Sequence, residues 1–394
     1  MESFHPTWIE IDISRFKRNL FQIISLIKNR LFCLPVKANA YGHGLCKIGD
    51  IAEHSGVNYL GVSCLQEGIQ LREYGIRIPI LVFGAFQIEQ IPHFIHYDLQ
   101  FTLCSLYKAK EAAKFCRSTN NKCKVHVEID TGIQRTGVCP STAKDLINFV
   151  LYNSCFELIG IYSHFATADT PKNNAAKMQL ASFETLQKEM HSNNDIIWHI
   201  ANSGGLCYYP SSKKQMVRPG LLSYGYFPGP KIDQVDVVPC FTLKSRISYF
   251  KVVEKGQGIS YGHSYITKKK TRIVTIPIGY GDGYRRCLSN RGHVLIRGKR
   301  YPIIGTICMD QLMVDIGNDE AYVGEEVVLI GKQKNEEIPI SEIAKLCDTI
   351  DYEILCSFNE RIPRIYINEK EQRKNFFQDL RAGQKDTERA NTNL

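Results

Sequence analysis

No stretch of this sequence approaches the roughly 18–20 uninterrupted apolar residues that a membrane-spanning helix requires. Charged residues interrupt the first thirty positions, so we expect no secretory signal peptide. The 14 cysteines form no CxxC pair and no Cys/His cluster at the spacing of zinc ligands. Several of them, such as Cys33, Cys64 and Cys104, lie in apolar runs, where free cysteine behaves as a small core residue. The sequence therefore predicts a protein of a reducing compartment, the cytoplasm, with no membrane partner and no metal site.

A strong excess of one charge is also missing. Lysine and arginine number 49 against 40 acidic residues, which gives a net charge of +9 over 394 residues. Nucleic-acid-binding proteins concentrate their basic residues in a patch, whereas the densest basic run here is the triplet Lys268–Lys270. We interpret that triplet as a solvated loop and predict no nucleic-acid partner. The length and the 44% hydrophobic content fit two folded domains.

Eight short apolar runs are present in the first 225 residues, and helix-length polar stretches separate them. The runs cover residues 31–37, 58–64, 78–84, 98–104, 124–130, 156–165, 196–203 and 216–225. Near-continuous apolar strands that alternate with helices are typical of a parallel sheet covered on both faces. Eight such units predict a (β/α)8 TIM barrel. A doubly wound sheet is the alternative, but no GxGxxG fingerprint follows the first strand.

The pattern changes after the turn-rich segment 227–230. The runs that follow alternate as β-strands do, and one predicted helix at 341–347 interrupts them. We therefore predict a mainly antiparallel C-terminal β domain. The predicted organisation is an N-terminal strand within 1–12 that packs with the C-terminal domain, a barrel at 13–230, a β domain at 231–370 and a polar tail at 371–394.

Polar residues occupy the ends of several predicted barrel strands, where TIM barrels carry their catalytic groups. Lys37 ends the first strand, His164 ends the sixth and Arg218 lies in the eighth, while Glu128 lies in the fifth strand and Arg135 just after it. A partly desolvated lysine can form a Schiff base. The segments SGG (203–205) and RPG (218–220) offer backbone N–H groups to a phosphate. This combination suggests pyridoxal 5'-phosphate (PLP) as the cofactor.

The segment VKANAYGHG at 36–44 resembles the PLP-attachment motif of alanine racemases. The resemblance extends over roughly residues 5–368. Further matching segments are VEIDTGIQRTGV (127–138), SHFATAD (163–169), ANSGG (201–205), VRPGLLSYG (217–225), ISYGHSY (259–265), IPIGYGDGY (276–284), IGTICMDQ (304–311), DYEI (351–354) and RIPRIY (361–366). It implies PLP-dependent interconversion of L-alanine and D-alanine for peptidoglycan. It also implies a homodimer in which each active site borrows residues from the partner's C-terminal domain.

The resemblance assigns roles to individual positions. It implies that Lys37 binds the cofactor covalently and acts as one base, that Tyr261 from the other subunit acts as the second, and that His164 links Tyr261 to Arg218 at the pyridine nitrogen. The cofactor-binding positions that it implies are Lys37, Tyr41, Asn202, Ser203, Arg218, Gly220, Leu221 and Tyr352. The substrate-binding positions are Arg135, the backbone N–H of Met309, Glu128 and Tyr280 at the entrance.

Glu128 departs from the pattern of the family, because many members carry a carbamylated lysine at this position. A carboxylate has the same charge and the same two oxygens on a shorter stem, and it can bind a guanidinium through both. We therefore expect Glu128 to orient Arg135 without any modification.

Other functions stay open from the sequence. A broad-specificity amino-acid racemase has the same motifs, and pocket size separates it from an alanine-specific enzyme. A non-catalytic PLP-binding protein of the same barrel class lacks the second domain, so residues 240–368 with Tyr261 argue against it. A PLP decarboxylase of this barrel class is disfavoured by the ISYGHSY and ICMDQ segments.

Overall fold

The computed structural model describes residues 5–190 and 195–369. One compact unit is Lys17–Pro239, and the other joins the described residues up to Phe16 to those from Cys240 onward. The predicted tail at 371–394 lies outside the described residues, as do residues 1–4 of the predicted N-terminal segment. Among the described residues, no helix has the length and apolar content needed to cross a membrane.

The elements up to Pro239 alternate between strand and helix. In chain order they are β1 (Trp8–Asp12), α1 (Ile13–Ile27), β2 (Leu31–Pro35), α2 (Lys37–Tyr41), α3 (Leu45–Glu53), β3 (Tyr59–Val62), α4 (Leu65–Tyr74), β4 (Ile80–Val82), α5 (Ile91–His96), β5 (Gln100–Leu103), α6 (Leu106–Thr119), β6 (Cys123–Glu128), α7 (Pro140–Leu151), β7 (Phe156–Tyr162), α8 (Asn174–Glu189), β8 (Ile197–His199), α9 (Ser203–Tyr208) and β9 (Met216–Val217).

Strands β2 to β9 form one parallel sheet in the order β8-β7-β6-β5-β4-β3-β2-β9. Just beyond its two outer strands, the N–H of Arg218 donates to the carbonyl of Ala201 at 2.7 Å and brings the sheet close to a closed barrel. Each predicted apolar run contains one of these strands, except that β6 begins one residue before its run, at Cys123, and the predicted TIM-barrel fold class is confirmed. The strands are shorter than the runs, because apolar residues at the run ends stay buried in loops, as Leu221 and Leu222 do.

Burial distinguishes the barrel strands from the antiparallel strands. Every residue of β3 and β4 is buried, which explains their nearly continuous apolar sequence. Helix α1 buries a stripe at helical spacing, in which Phe16, Leu20 and Ile23 have no exposed surface. The prediction of alternating strands and helices from the sequence rests on these two patterns of apolar residues.

The other unit is built on a mainly antiparallel sheet. Its elements after Cys240 are β10 (Phe241–Arg246), β11 (Tyr249–Val253), β12 (Gly258–Ile259), β13 (Tyr265–Ile266), β14 (Thr271–Ile276), β15 (His293–Ile296), β16 (Lys299–Ile304), β17 (Leu312–Gly317), β18 (Glu326–Gln333), β19 (Glu336–Ile338), α10 (Ile340–Leu346), α11 (Asp351–Ser357) and β20 (Arg364–Ile367). The main sheet has the order β11-β14-β17-β16-β15-β18-β10-β1-β20. Strand β1 pairs antiparallel with β10 and parallel with β20, so the N-terminal strand belongs to this unit.

The prediction of a single helix in this unit is wrong, because α11 follows α10. Helix α11 has seven residues, and a helix of two turns is not stable by itself. Its buried residues are Ile354 and Leu355, and this packing holds it in place. Strand β17 alternates buried and half-buried residues in the way expected of a sheet with one covered face.

Candidate active site

Lys37 follows β2, from which only Val36 separates it, and it is half-buried. The four residues after it, Ala38 to Tyr41, have φ values between 52° and 55°, which is the left-handed region that non-glycine residues rarely adopt. Two backbone hydrogen bonds close this turn: Ala40 N–H donates to Val36 at 2.6 Å, and Gly42 N–H donates to Ala38 at 3.0 Å. The strained turn therefore fixes Lys37 at the carboxyl end of the barrel strands.

Glu67 supports this turn, and sequence reasoning missed it. Its Oε1 accepts the N–H of Ala38 at 2.7 Å. Its Oε2 accepts the N–H and the hydroxyl of Ser63, at 2.8 and 3.0 Å. Hydrogen bonds to an ionised carboxylate are stronger than neutral ones. No local pattern indicates this contact, because Ala38 and Glu67 are 29 residues apart and only the barrel brings their loops together.

Two hydroxyl groups and a glycine lie among the predicted phosphate-binding positions. A Cβ on Gly220 would lie 2.6 Å from the hydroxyl of Tyr41, so only glycine leaves room at that hydroxyl. Ser203 Oγ accepts the N–H of Leu222 at 3.2 Å and keeps its own proton to donate. Asn202 Oδ1 accepts the N–H of Gly205 at 2.9 Å and so caps α9. This set of donors, with a glycine where a side chain would clash, fits the phosphate of PLP.

Arg218 is buried in the barrel, with 4% of its surface exposed. Its Nη1 donates to His199 Nδ1 at 2.6 Å, and its Nη2 donates to the carbonyl of Ser163 at 2.8 Å. The guanidinium also lies 5.1 Å from the ring centroid of Tyr162, in a cation–π contact. Burial lowers the pKa of Arg218, but a guanidinium stays protonated in proteins. It is therefore a fixed positive charge that suits a cofactor ring nitrogen.

His164 lies beside Arg218, with its Nδ1 at 3.4 Å from Arg218 Nη2. Burial holds the pKa of His164 well below its usual range, and the positive charges of Arg218, Arg135 and Lys37 lower it further. The structure thus brings together four of the residues that the sequence predicts for the site. His164 is a neutral imidazole that can accept a hydrogen bond from Arg218.

Glu128 is buried at the end of β6, with 3% of its surface exposed. Burial raises the pKa of this carboxyl, while a hydrogen bond from Thr136 and the charges of Arg135 and Arg218 oppose that rise. Its Oε2 is buried and accepts no hydrogen bond, so the expected two-oxygen contact with Arg135 is not formed. The reason lies in the loop before Arg135. Asp130 Oδ1 accepts three successive backbone N–H groups there, at 2.8–3.1 Å, and Arg135 is left exposed.

The remaining predicted residues belong to the unit that contains the β domain. Tyr261 begins a short 3₁₀ turn and is 72% exposed. The carbonyl of Tyr261 accepts the hydroxyl of Thr306 at 3.1 Å, which fixes the backbone beneath this exposed ring. Tyr261 also lines a cavity of about 690 Å³, together with Tyr249 and Met313.

Tyr280 and Met309 lie side by side in the same unit. Tyr280 N–H donates to the carbonyl of Cys308 at 3.1 Å, and Gly281 N–H donates to that of Met309 at 2.8 Å. Arg361 braces these two loops, since its Nη2 donates to Asp310 at 2.9 Å and its Nε lies 3.4 Å from Asp282. Sequence reasoning missed Arg361, which is 51 residues from Asp310. Tyr352 lies in the first turn of α11 and is half-buried.

Comparison with known proteins gives the same family over both units. Residues 11–228 match the family model of the alanine racemase N-terminal domain, and residues 240–366 match that of the C-terminal domain. "Alanine racemase 2" of Caldanaerobacter subterraneus subsp. tengcongensis is 37% identical over 372 residues, which is 93% of this chain and 96% of that relative. "Alanine racemase" of Symbiobacterium thermophilum is 38% identical over 370 residues, 93% of this chain and 98% of that relative.

A solved structure agrees with these relatives. The alanine racemase of Clostridium difficile 630 has a TM-score of 0.88 and 35% identity, and the match covers 93% of this chain and 97% of that one. The (β/α)8 barrel, the second β domain and the ordered motifs are thus those of one known group of isomerases. The chain belongs to the alanine racemase family.

Proposed function

We propose that this protein uses PLP to interconvert L-alanine and D-alanine. The observation that carries the proposal is the contact of buried Arg218 with His164, at 3.4 Å, at the end of the barrel where Lys37 follows β2. The positive charges of Arg218, Arg135 and Lys37 also lower the pKa of His164, after the larger effect of burial. Family membership supports the same reaction. The match of residues 240–366 to the C-terminal domain also favours a catalyst over a single-domain PLP carrier.

Different residues of the barrel unit would hold different parts of the cofactor. Lys37 Nζ would hold the cofactor covalently, and the hydroxyl groups of Tyr41 and Ser203 would bind its phosphate beside Gly220 and Leu221. We propose that Tyr352, which lies on α11 of the other unit, supplies a further hydroxyl for this phosphate. When bound, PLP withdraws electrons from the substrate Cα and makes its proton acidic.

Arg218 controls the ring nitrogen of the cofactor. A guanidinium can donate hydrogen bonds but cannot accept them, and it does not release its proton in proteins. It would therefore leave that nitrogen unprotonated, in contrast to a carboxylic acid partner. His164 accepts from Arg218, and we propose that it links Arg218 to the second base. An unprotonated ring nitrogen would withdraw electrons from Cα less strongly. This favours prompt return of the proton to Cα and disfavours side reactions.

Racemisation needs two bases on opposite faces of Cα. Lys37 Nζ removes or returns the proton on one face, and Tyr261 Oη does so on the other. The guanidinium of Arg135 and the N–H of Met309 bind the substrate carboxylate, and Tyr280 narrows the entrance. Tyr261, Met309 and Tyr280 are all at least 44% exposed on their own unit, which suits residues that complete a second subunit's site. We therefore propose a homodimer with shared active sites.

The biological setting follows from this reaction. D-alanine is a building block of peptidoglycan, and we propose that this protein supplies it. The cytoplasm is the compartment that we propose, because a reducing environment keeps thiols free and all 14 cysteines are free in this structure.

Racemisation of a panel of amino acids tests the proposed function. We expect the purified, PLP-loaded protein to convert L-alanine to D-alanine, with a kcat/KM for serine and larger amino acids at least about tenfold lower, the effect of a pocket that fits one methyl group. Chiral chromatography of the products measures both values. Equal rates across the panel would indicate a broad-specificity racemase. Absence of any racemisation by protein with bound cofactor would contradict the proposal.

Glu128→Gln tests whether this carboxylate assists Arg135. We propose that Arg135 turns inward when substrate binds, and that Glu128 Oε2, buried and without a hydrogen-bond partner, then accepts from it. Loss of one charged hydrogen bond lowers kcat/KM by roughly ten- to a hundred-fold, mainly through a higher KM. Glu157→Gln, which changes an exposed glutamate on β7, is the matched control and should leave both constants unchanged.

Bicarbonate provides the second arm of this test. An enzyme that depends on a carbamylated lysine loses activity when bicarbonate is removed. Glu128 needs no modification, so the activity of the wild-type protein should not change. If Glu128→Gln retained the full kcat/KM, Glu128 would have no part in orienting Arg135.

A further inference from the structure

The barrel interior contains a row of buried polar side chains that extends away from Arg218. Arg218 Nη1 lies 2.6 Å from His199 Nδ1, and His199 Nε2 lies 3.0 Å from His126 Nδ1. His126 Nε2 lies 2.8 Å from Gln100 Oε1. A hydrogen bond with Gln100 in turn lowers the pKa of Tyr59, against the larger effect of burial. We propose that this row is a one-directional hydrogen-bond chain that fixes the proton positions of both histidines and thereby positions Arg218.

The direction of the chain is decided at Arg218. A guanidinium carries only donors, so His199 Nδ1 must accept and has no proton. An imidazole without a proton on Nδ1 is neutral and carries its one proton on Nε2. His199 is therefore an Nε2–H tautomer.

The same reasoning applies to His126, the next residue in the chain of hydrogen bonds. The Nε2–H of His199 points to His126 Nδ1, which must accept it and so has no proton either. His126 is then also an Nε2–H tautomer, and that proton points to the oxygen of Gln100. The amide group of Gln100 keeps its N–H donors for the hydroxyl of Tyr59. Every hydrogen bond in the chain runs away from Arg218, and reversing any of them would leave two donors or two acceptors facing each other.

Burial enforces this arrangement of hydrogen bonds. His126 and His199 have no exposed surface, and Gln100 and Tyr59 are 6% and 8% exposed. Burial, followed by the charge of Arg218, lowers the pKa of His126 to about 3 and holds the pKa of His199 well below its usual range. Both histidines are therefore neutral wherever Arg218 is charged. A buried donor that loses its acceptor has no water to replace it.

The functional consequence rests on the proposed role of Arg218 at the cofactor ring. Because His126 accepts from His199, it keeps the His199 proton away from Arg218. Without His126, that proton has no acceptor, and the tautomer with a proton on Nδ1 would point a donor at the guanidinium. His126, Gln100 and Tyr59 act through His199 and are positioning residues. They lie on strands β6, β5 and β3.

Neutron diffraction of the deuterated full-length protein with bound PLP reads the proton positions directly. We expect deuterium on Nε2 and none on Nδ1 in both His126 and His199. Deuterium on Nδ1 of either residue, alone or together with Nε2, would overturn the chain. This measurement does not depend on which reaction the protein catalyses, so its failure is distinct from failure of the proposed function.

A pair of variants tests the positioning role. In His126→Asn the side-chain oxygen can still accept from His199, whereas His126→Leu has a similar size and no acceptor. We expect His126→Leu to lower both PLP affinity and kcat/KM by at least about tenfold, the effect of one disturbed charged hydrogen bond, and His126→Asn to stay within about threefold of wild type. PLP affinity is measured by titrating the apoprotein while following cofactor absorbance. Equal losses in both variants, or none in either, would overturn the role, and if His126→Leu did not fold, the neutron result would decide.

Discussion

Replacement of Lys37 by alanine is expected to abolish the visible absorption band of the lysine-bound cofactor. The change removes the one side chain that the left-handed turn of residues 38–41 holds at the carboxyl end of β2. It also removes one of the two proposed bases, and general acid–base catalysis by one group contributes about 10²–10⁴ in rate. We therefore expect racemisation to fall by at least this factor. Absorbance spectra of the purified variant and a racemisation assay measure the two effects.

The matched control for this prediction is Lys114→Ala. Lys114 is a surface lysine paired with Glu111, and its side chain is 69% exposed. The control should keep both the absorption band and the activity. Borohydride reduction of the wild type, followed by peptide mapping, should place the reduced cofactor on Lys37. Label on another lysine would show that the attachment site lies elsewhere.

Mixing two inactive variants is expected to restore activity if each active site uses both subunits. Lys37→Ala lacks the proposed base on the barrel, and Tyr261→Ala lacks the proposed base on the exposed turn at 261–263. After subunit exchange at equal amounts, half of the dimers are mixed, and each mixed dimer contains one intact site. About a quarter of the wild-type activity should return, as two-fold symmetry requires. The racemisation rate before and after exchange measures this recovery.

Two controls accompany the mixture. Tyr249→Phe changes another exposed tyrosine that lines the same cavity as Tyr261, and it should retain activity. Exchange itself is followed with a differently tagged subunit, so that a lack of mixing is not mistaken for a negative result. No recovery after demonstrated exchange would mean that the whole site lies within one chain.

The order of strands and helices in the barrel unit is determined by the sequence. Strands buried on both faces need continuous apolar residues, and such runs are visible without any knowledge of the fold, as in β3 and β4. Lysine, histidine and arginine at the ends of such runs are equally visible, because a charge that ends a buried strand needs a special environment. The motif around Lys37 also indicates the protein family.

Tertiary structure decided the contacts between distant residues. Glu67 supports the turn after Lys37 from 29 residues away, and Arg361 reaches Asp310 across 51 residues. The orientation of Arg135 shows the same limit: the sequence places a carboxylate and a guanidinium near each other, but the three N–H groups bound by Asp130 set the course of the loop. Charge and spacing predict which residues meet, whereas loop geometry decides which atoms touch.

The buried chain from Arg218 to Gln100 depends on the barrel in the same way. His126, His199 and Gln100 lie on three strands, each inside an apolar run, where a sequence pattern indicates only a polar residue in the core. Parallel strands closing into a barrel direct these side chains to a common interior. Donors and acceptors can then be matched, because a buried polar group must find its partner within hydrogen-bonding distance. The sequence determined the elements and the reactive groups at their ends, and the closed barrel alone decided which buried protons face which acceptors.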